Sequence, residues 1–408
     1  MRTTLARRCA ALLAVAGLGF TTPVLAQDKT VKIGVLNDMS SLYADIGGPN
    51  SVTAVKMAVE DSGLVAKGWK IDILSGDHQN KPDVGVSIAR QWIDLDKVDA
   101  VVDTPTSSVA LAVSNLARDK NAVLINSGGA SADITGKACT PNTVSVSYDT
   151  YMLAKGTGKA LTKAGGDTWF FLTSDYAFGY ALERDTAAVV TASGGKVLGG
   201  VKHPLNTSDF SSFLLQAQAS KAKVVGLANA GGDTTNAIKQ AAEFGIVAGG
   251  QKLAALLLFI NDVHSLGLKV AQGLTFTESF YWDMNDNTRE WSKRFQKLSP
   301  KGTMPAMTVA GLYSGVLHYL KTLEAIGGNP HDGLKVVAKM KELPTDDILF
   351  GKGSIRIDGR KMLPAYLFEV KKPEESKYPW DYYKLVATIP ADEAARPLSE
   401  SECPLVKK

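Results

Sequence analysis

Hydroxyl residues and glycines follow three predicted strands in the first third of the chain. The segments are 38–47, 104–108 and 126–131, and their candidate residues are Tyr43, Thr106, Ser107, Ser127, Gly128 and Ser131. In an open parallel sheet, ligands bind in the crevice outside the carboxyl ends of the strands. Hydroxyl groups and the free N–H groups of a helix N-terminus hold anions there, so we predict a site for a small carboxylate. Helix capping is the alternative role of Thr106, Ser107 and Ser131.

Aromatic and amide side chains stand near strand ends in the middle third of the chain. Tyr176 and Phe178 follow one predicted strand, Asn229 follows a later one, and Tyr151 lies at the start of a predicted helix. We expect these four residues to form the opposite wall of the same crevice, with packing inside the fold as their alternative role. Polar donors on one side and aromatic walls on the other predict a cleft that closes around a small organic acid.

The chain lacks the residue patterns of the common catalytic sites. Its five histidines are scattered without a His-x-x-x-His pair for zinc, and there is no Gly-x-Ser-x-Gly segment. The segments 155–159 and 128–137 combine glycine with lysine but lack the spacing of a phosphate-binding loop. These features favour a binding protein over an enzyme, and we expect neither a metal nor a cofactor.

Strand-like and helical patterns alternate over 30–125 and again over 150–244, and the apolar run 253–260 fits a further buried strand. Such alternation is typical of βαβ units, with parallel sheets and right-handed crossovers. The later segments do not alternate: helices are predicted at 288–298, 304–326 and 333–341, and short strands at 354–357, 365–370 and 383–387. We predict an α/β fold with two Rossmann-like, doubly wound lobes.

The domain assignment follows from this order. Because the chain completes both alternating runs before it adds the last helices, we expect it to return to the first lobe. The predicted parts are a signal peptide (1–26), an N-terminal lobe (27–147 with 278–352), a C-terminal lobe (148–277 with 353–390) and a tail (391–408). The total of 408 residues is too long for one hydrophobic core and suits two lobes.

The first residues have the three regions of a secretory signal peptide. Arg2, Arg7 and Arg8 precede the apolar run 9–20, and small residues at the cleavage positions end with Ala26. The apolar run is too short to span a bilayer, which needs about 20 residues. We therefore expect export, cleavage after Ala26 and a periplasmic protein without a lipid anchor.

The net charge and the cysteine content limit which binding partners and which disulfides we expect. Loss of the three signal arginines lowers the formal net charge from +4 to +1, and there is no dense Lys/Arg patch, so we expect no nucleic-acid binding. Cys139 and Cys403 are the cysteines left after cleavage. In an oxidising compartment they form either one disulfide that holds the C-terminal tail or two separate thiols.

Several motifs together resemble one known family, the branched-chain amino-acid (Leu/Ile/Val-type) periplasmic binding proteins. The matching segments are VKIGVLNDMS (31–40), YADIGG (43–48), TSS (106–108), NSGGAS (126–131), DYAFG (175–179) and CPLVKK (403–408). The resemblance covers nearly all of the chain after the signal peptide. It implies a type I periplasmic binding protein fold, with two lobes joined by a three-stranded hinge, and delivery of a ligand to an ABC permease.

The resemblance also assigns residues to the site. It places the first-lobe hydroxyl donor at Thr106 beside Ser107, a backbone donor at Gly128 and an aromatic contact at Phe178, with Tyr176 close by. The threonine that the family normally places two residues after Gly128 is Ala130 here, with Ser131 adjacent.

Two positions depart from the family's amino-acid binders. The segment 256–259 has no acidic residue to hold a ligand ammonium, and a tyrosine expected near Ala230 is absent. Asp233 or Asp175 would have to replace the missing acid. An aromatic or aliphatic carboxylate fits these residues at least as well as an α-amino acid.

We therefore expect a monomeric periplasmic solute-binding protein of an ABC importer, with a small carboxylate as ligand and a permease in the inner membrane as partner. A ligand sensor of the same fold that acts on a membrane receptor is the first alternative. A secreted hydrolase is the second.

Overall fold

The structure, a computed structural model, describes residues 29–327 and 329–407. The predicted signal peptide and its cleavage after Ala26 lie outside the described residues. Within the described part of the chain, no helix is long and apolar enough to cross a membrane.

The first lobe is built on five parallel strands in the order β2-β1-β3-β4-β5. The strands are β1 (Thr30–Asn37), β2 (Lys70–Asp77), β3 (Ala100–Asp103), β4 (Val123–Asn126) and β5 (Thr143–Ser145). The helices between them are α1 (Pro49–Ser62), α2 (Pro82–Gln91) and α3 (Ser107–Asp119). β3 and β4 are buried along their whole length, as expected for a parallel sheet covered by helices on both faces.

The second lobe has four parallel strands in the order β7-β6-β8-β9. The strands are β6 (Thr168–Ser174), β7 (Lys196–His203), β8 (Val224–Ala228) and β9 (Lys252–Ala255). The helices of this region are α4 (Thr150–Leu153), α5 (Lys159–Lys163), α6 (Ala177–Ala192), α7 (Ser211–Ala219), α8 (Gly231–Glu243), α9 (Ile260–Leu266) and α10 (Leu268–Ala271). One wider helical turn, Ala154–Gly158, joins α4 to α5.

The chain then adds three helices and a hairpin after the second parallel sheet. After β10 (Thr275–Glu278) it forms α11 (Asp286–Leu298), α12 (Met307–Ala325), α13 (Gly333–Glu342) and the hairpin β11 (Thr345–Asp347) with β12 (Gly351–Gly353). Nearly all of α12 is buried, because it packs against α1 and against β3 and β4. Arg360 makes a parallel bridge with Ser145, which brings the following segment beside β5.

A third, antiparallel sheet completes the molecule. Its order is β10-β13-β14, where β13 is Ala365–Val370 and β14 is Tyr383–Ile389. The short helix α14 (Ala391–Ala394) begins the C-terminal tail. The chain thus runs from the first parallel sheet to the second, back to helices on the first, and then to the antiparallel sheet, an order that fits the predicted type I periplasmic binding protein fold. The exact lobe boundaries stay a prediction.

Two predicted strands differ from the structure. The buried run 253–260 is a strand only as far as Ala255, because Asp262 accepts the N–H of Phe259 (2.9 Å) and helix α9 begins at Ile260. An apolar run of this length does not by itself distinguish a strand from a buried turn and helix start. In the predicted strand 354–357, the structure shows only an isolated bridge at Ile355.

The C-terminal tail contacts both lobes. Arg396 donates to Asp185 of α6 (3.0 Å), and its guanidinium lies 4.7 Å from the ring centre of Tyr151. The tail then reaches the first lobe, where Cys403 forms a disulfide with Cys139, with 5.5 Å between the Cα atoms. The cysteines are therefore paired, which was one of the two predicted alternatives.

Removal of this disulfide should lower stability, because the bond closes a loop with a sequence separation of 264 residues. We expect the double variant Cys139→Ser/Cys403→Ser to lose about 2–5 kcal/mol of unfolding free energy, measured by urea denaturation. Wild type treated with dithiothreitol is the control and should match the variant. Equal stability of the variant and the oxidised wild type would contradict the prediction.

Candidate functional site

A narrow cavity with about 10 Å³ of free space lies between the lobes, where the carboxyl ends of both parallel sheets face each other. Its lining residues are Tyr43, Ile46, Pro105, Gly128, Tyr148, Tyr176, Phe178, Ala230 and Leu257. Each of these residues lies in the segment that directly follows a parallel strand. None of the nine carries a charge. The free space is about as much as one water molecule needs, so the cleft is closed in this structure and admits a solute only after side chains or lobes move.

Four of the predicted site residues lie in this lining: Tyr43, Gly128, Tyr176 and Phe178. Sequence reasoning did not select the other five, which are Ile46, Pro105, Tyr148, Ala230 and Leu257. Four of these five have apolar side chains without a functional group that marks a ligand contact. In the sequence, Tyr148 looks like a residue that packs inside the fold. Their common signal is position, because each follows the end of a parallel strand.

The predicted hydroxyl residues of the first lobe bind neighbouring loops. Thr106 donates its hydroxyl to the side-chain oxygen of Asn80, so α3 begins without a side-chain cap. The Ser107 hydroxyl accepts the N–H groups of Ala130 (3.1 Å) and Ser131 (3.0 Å). These bonds join the start of α3 to the loop after β4.

Two further predicted serines are also engaged within the first lobe. Ser127 donates to the carboxyl group of Asp103 (2.6 Å). Ser131 accepts the N–H of Asp133 (3.3 Å) and caps a short helical turn. As with Thr106 and Ser107, both hydroxyls shape the loops around the cavity, and direct ligand contacts of these serines stay a prediction.

The remaining predicted residues lie beside the cavity rather than in its described lining. Tyr151 is covered by Arg396 of the tail. The Asn229 amide is 3.1 Å from the ring nitrogen Nε2 of His203 and accepts the hydroxyl of Thr234 (2.7 Å). Asn229 thus ties the end of β8 to the end of β7. Ligand contacts of Tyr151 and Asn229 stay a prediction.

No carboxylate for a ligand ammonium is present in the described lining. Asp233 is buried and accepts the N–H groups of Asn206 (3.2 Å) and Thr207 (2.8 Å), and burial raises its pKa to about 6. Asp175 is exposed and accepts the hydroxyl of Tyr180. Neither acid replaces the one missing from the segment 256–259, where Leu257 itself faces the cavity.

Two tyrosines join the lobes across the cavity. The hydroxyl oxygens of Tyr43 and Tyr176 are 2.7 Å apart, and these residues come from the loop after β1 and the residue that precedes α6. Burial raises the pKa of both phenols, so both remain protonated and able to donate. The Asp38 carboxylate orients the first-lobe partner by accepting the Tyr43 N–H (2.8 Å).

The lobes also touch through backbone at the edge of the cavity. Gly231, the first residue of α8, has a φ of 57°, and a Cβ there would lie 3.0 Å from the Leu42 carbonyl oxygen and from the Tyr43 ring. Asn261 of α9 donates to the carbonyl oxygen of Asp45 (2.7 Å). A larger residue at position 231 would hold the lobes apart, because this contact is already close.

Tyr148 positions the wall at Gly128. It donates its hydroxyl to the Gly128 carbonyl oxygen (3.1 Å), and its ring meets the edge of the Phe259 ring at 6.2 Å between centres. This residue lies where the chain first passes between the lobes, so it connects the first-lobe loop to the second-lobe segment 256–259. The cavity therefore has three tyrosine hydroxyls within apolar walls.

Loss of the bond between Tyr43 and Tyr176 should favour separation of the lobes. We expect Tyr43→Phe and Tyr176→Phe each to weaken closure by about 0.5–1.5 kcal/mol, which small-angle X-ray scattering would detect as a larger radius of gyration. Tyr180→Phe is the matched control, because its hydroxyl bonds Asp175 inside the second lobe. An unchanged radius for both cavity variants would contradict this role.

Asp262, just after the segment 256–259, should make stability depend on pH. Burial raises its pKa from 3.8 to about 7, so between these values the unfolded chain ionises while the folded protein keeps the proton. Its contribution to stability is therefore lost as pH rises. We expect the unfolding free energy of Asp262→Asn, measured relative to wild type by urea denaturation, to rise by about 2–4 kcal/mol as the pH goes from 4 to 8. A pH-independent difference would refute the assignment.

The chain is similar to known proteins over most of its length. A family model described as periplasmic binding protein matches residues 30–376. A periplasmic binding protein from Burkholderia mallei is 52% identical, with a TM-score of 0.89 over 93% of this chain and 100% of that one. A branched chain amino acid ABC transporter periplasmic ligand-binding protein from Burkholderia xenovorans LB400 is 42% identical, with a TM-score of 0.81 over 92% of this chain and 100% of that one.

A curated relative extends the same similarity. The Leu/Ile/Val-binding protein homolog 6 of Brucella abortus (strain 2308) is 24% identical over 378 residues, which are 89% of this chain and 93% of the relative. Proteins of this family bind small molecules in the periplasm, work with ABC permeases and are not enzymes. The match over most of the chain, with the topology and the interlobe cavity, shows that the chain belongs to the periplasmic binding proteins of ABC transporters, in the Leu/Ile/Val-binding group.

Proposed function

We propose that this protein binds a small organic carboxylate with an apolar or aromatic body and delivers it to an ABC permease in the inner membrane. The observation that carries the proposal is the uncharged lining of the interlobe cavity, which has three tyrosine hydroxyls and no acidic side chain. One hydroxyl proton of the Tyr43 and Tyr176 pair is left to donate to an anion, and the lining has no negative charge to pair with an ammonium group.

The start of α3 is the proposed place for the carboxylate. Pro105 lines the cavity directly before this helix, and the helix has no side-chain cap because Thr106 bonds Asn80 instead. The first N–H groups of a helix have no partner within the helix, and its dipole favours an anion there by about 0.3–1 kcal/mol. The Tyr148 hydroxyl lies on the same side, on Gly128.

The body of the ligand would lie between the apolar walls. Ile46 and Phe178 come from opposite lobes, and Leu257 closes the cavity. Leu257 lies in the segment 256–259, in which the resemblance places an acid in the family's amino-acid binders. A buried ammonium without a carboxylate partner costs several kcal/mol. This cost favours an organic acid over the α-amino acid with the same skeleton.

Proteins with the same fold have been assigned to amino-acid transport or crystallised with an organic acid. The 42% identical neighbour is a branched chain amino acid ABC transporter periplasmic ligand-binding protein. A solute-binding protein of Rhodopseudomonas palustris HaA2, 24% identical to this chain, was crystallised with p-hydroxybenzoic acid. The fold therefore leaves the ligand open, and the argument for an organic acid rests on the lining of this chain's own cavity.

Matched ligand pairs test the proposal. Isothermal titration calorimetry would compare 3-phenylpropionate with phenylalanine and 4-methylpentanoate with leucine, since each pair differs only in the α-ammonium. We expect the acid of at least one pair to bind at least about tenfold more tightly, equivalent to about 1.4 kcal/mol. Tighter binding of both amino acids would contradict the proposal.

A substitution at Leu257 provides the reciprocal test. We expect Leu257→Glu to reverse the preference within the pair that wild type binds, because it supplies the missing carboxylate. Leu257→Gln is the control of equal size without the charge and should not favour the amino acid. Equal preferences of the two variants would show that the absent charge does not determine selectivity.

A further inference from the structure

Two consecutive residues at the end of β3 have an unusual backbone. Asp103 and Thr104 have φ values of 87° and 56°, in the left-handed region that favours glycine. Neither is glycine, and for a β-branched residue such as threonine this conformation is a clear outlier. Both residues are buried. Such conformations persist only where the surroundings hold them, and they concentrate at functional sites.

The Asp103 side chain provides part of that hold. Its carboxyl group accepts hydrogen bonds from the Asn37 amide at the end of β1 and from the Ser127 hydroxyl after β4 (2.6 Å). Asn37 donates in turn to Ser51 of α1 (2.9 Å). One carboxyl group thus ties together the loops after β1, β3 and β4, which are three of the first-lobe segments that reach the cavity.

The backbone of the same turn adds further bonds. The Asp103 carbonyl oxygen accepts the N–H groups of Ser127 (3.2 Å) and Gly128 (3.4 Å). Thr104 donates its N–H to the Leu36 carbonyl oxygen (2.9 Å), and its hydroxyl is 3.3 Å from the Asn126 side-chain oxygen. The strained turn is therefore fastened to β1 on one side and to the loop after β4 on the other.

This turn sets the distance between two cavity residues. Pro105 and Gly128 both line the cavity, and a Cβ added at Gly128 would lie 2.5 Å from the Pro105 Cα and 3.1 Å from the Asp103 carboxyl oxygen Oδ1. Asp103 itself is not part of the described lining. Its contacts act on the residues that are.

We propose that Asp103 is a positioning residue, which holds the turn 103–105 against Gly128 so that the first-lobe wall of the cavity is formed before a ligand arrives. This inference rests on the proposed function in placing the carboxylate at that wall. A preformed wall strengthens binding, because the loops do not have to be ordered when the ligand binds.

Hydrogen exchange without ligand tests the positioning directly. In Asp103→Asn, which keeps the shape and tolerates the left-handed backbone, we expect the amides of 126–131 to exchange at least tenfold faster, measured by mass spectrometry. Ser127→Ala removes one of the same bonds from the other loop, and its exchange rates provide the test if Asp103→Asn does not fold. The proposal would be overturned if the amides of 126–131 exchange in the folded variants at the same rates as in wild type.

Affinity for benzoate provides the second readout. We expect Asp103→Asn and Ser127→Ala each to weaken benzoate binding at least fivefold in calorimetry at a temperature where both proteins are folded, and the double variant to bind no more weakly than the weaker single variant. If the loss of benzoate affinity in the double variant equals the product of the two single losses, the two residues do not share a role and the proposal is overturned. If wild type itself fails to bind benzoate, that ligand is excluded from the proposed function, and the exchange measurement alone decides the role of Asp103.

Ser114→Ala is the matched control for both readouts. Ser114 is a buried first-lobe serine whose hydroxyl contacts Thr140 (3.2 Å) and Thr143 (2.8 Å), away from the cavity. We expect it to lower the unfolding temperature while leaving benzoate affinity and the exchange of 126–131 unchanged. A purely structural role of Asp103 would make its variant behave like this control.

Discussion

Parallel pairing places the carboxyl ends of all strands in a sheet at one edge, and the rest of this structure depends on that constraint. In each lobe, the loops after the strands gather at this edge, and the two edges face each other across the cavity. Every residue that lines the cavity therefore comes from a segment directly after a strand. Because a loop at such an edge is held at its base by the sheet, its side chains and backbone reach the site in defined positions.

Polar groups in this region mostly serve the loops themselves. Ser107, Ser127 and Thr106 use their hydroxyls to join neighbouring loops, while Asp103 and Asp233 accept bonds from other segments. Buried polar groups need such partners, since an unmade bond costs about 1–3 kcal/mol. What remains at the cavity surface is apolar, apart from three tyrosine hydroxyls and exposed backbone. The same hydrogen bonds thus stabilise the loops and leave the site neutral.

Much of the fold was predictable from the sequence because the helical and strand periodicities are strong. The strand Ala365–Val370 agrees with the prediction at both ends, and the helix Gly333–Glu342 begins at the predicted residue. The site was less predictable. Thr106 and Ser131 have the chemistry of ligand donors, yet their hydroxyls bond Asn80 and the Asp133 N–H. Ile46 and Leu257 line the cavity although nothing in their side chains marks them.

The sequence by itself determined the α/β class, the two lobes, the family and the absence of an acid in the segment 256–259, because these depend on local periodicity and on which residues are present. Only the tertiary structure decided which strand-end residues face the cavity, that Tyr43 meets Tyr176 across it and that Cys139 pairs with Cys403. These contacts join residues more than a hundred positions apart. Their distances depend on how the sheets and lobes pack, which no local pattern specifies.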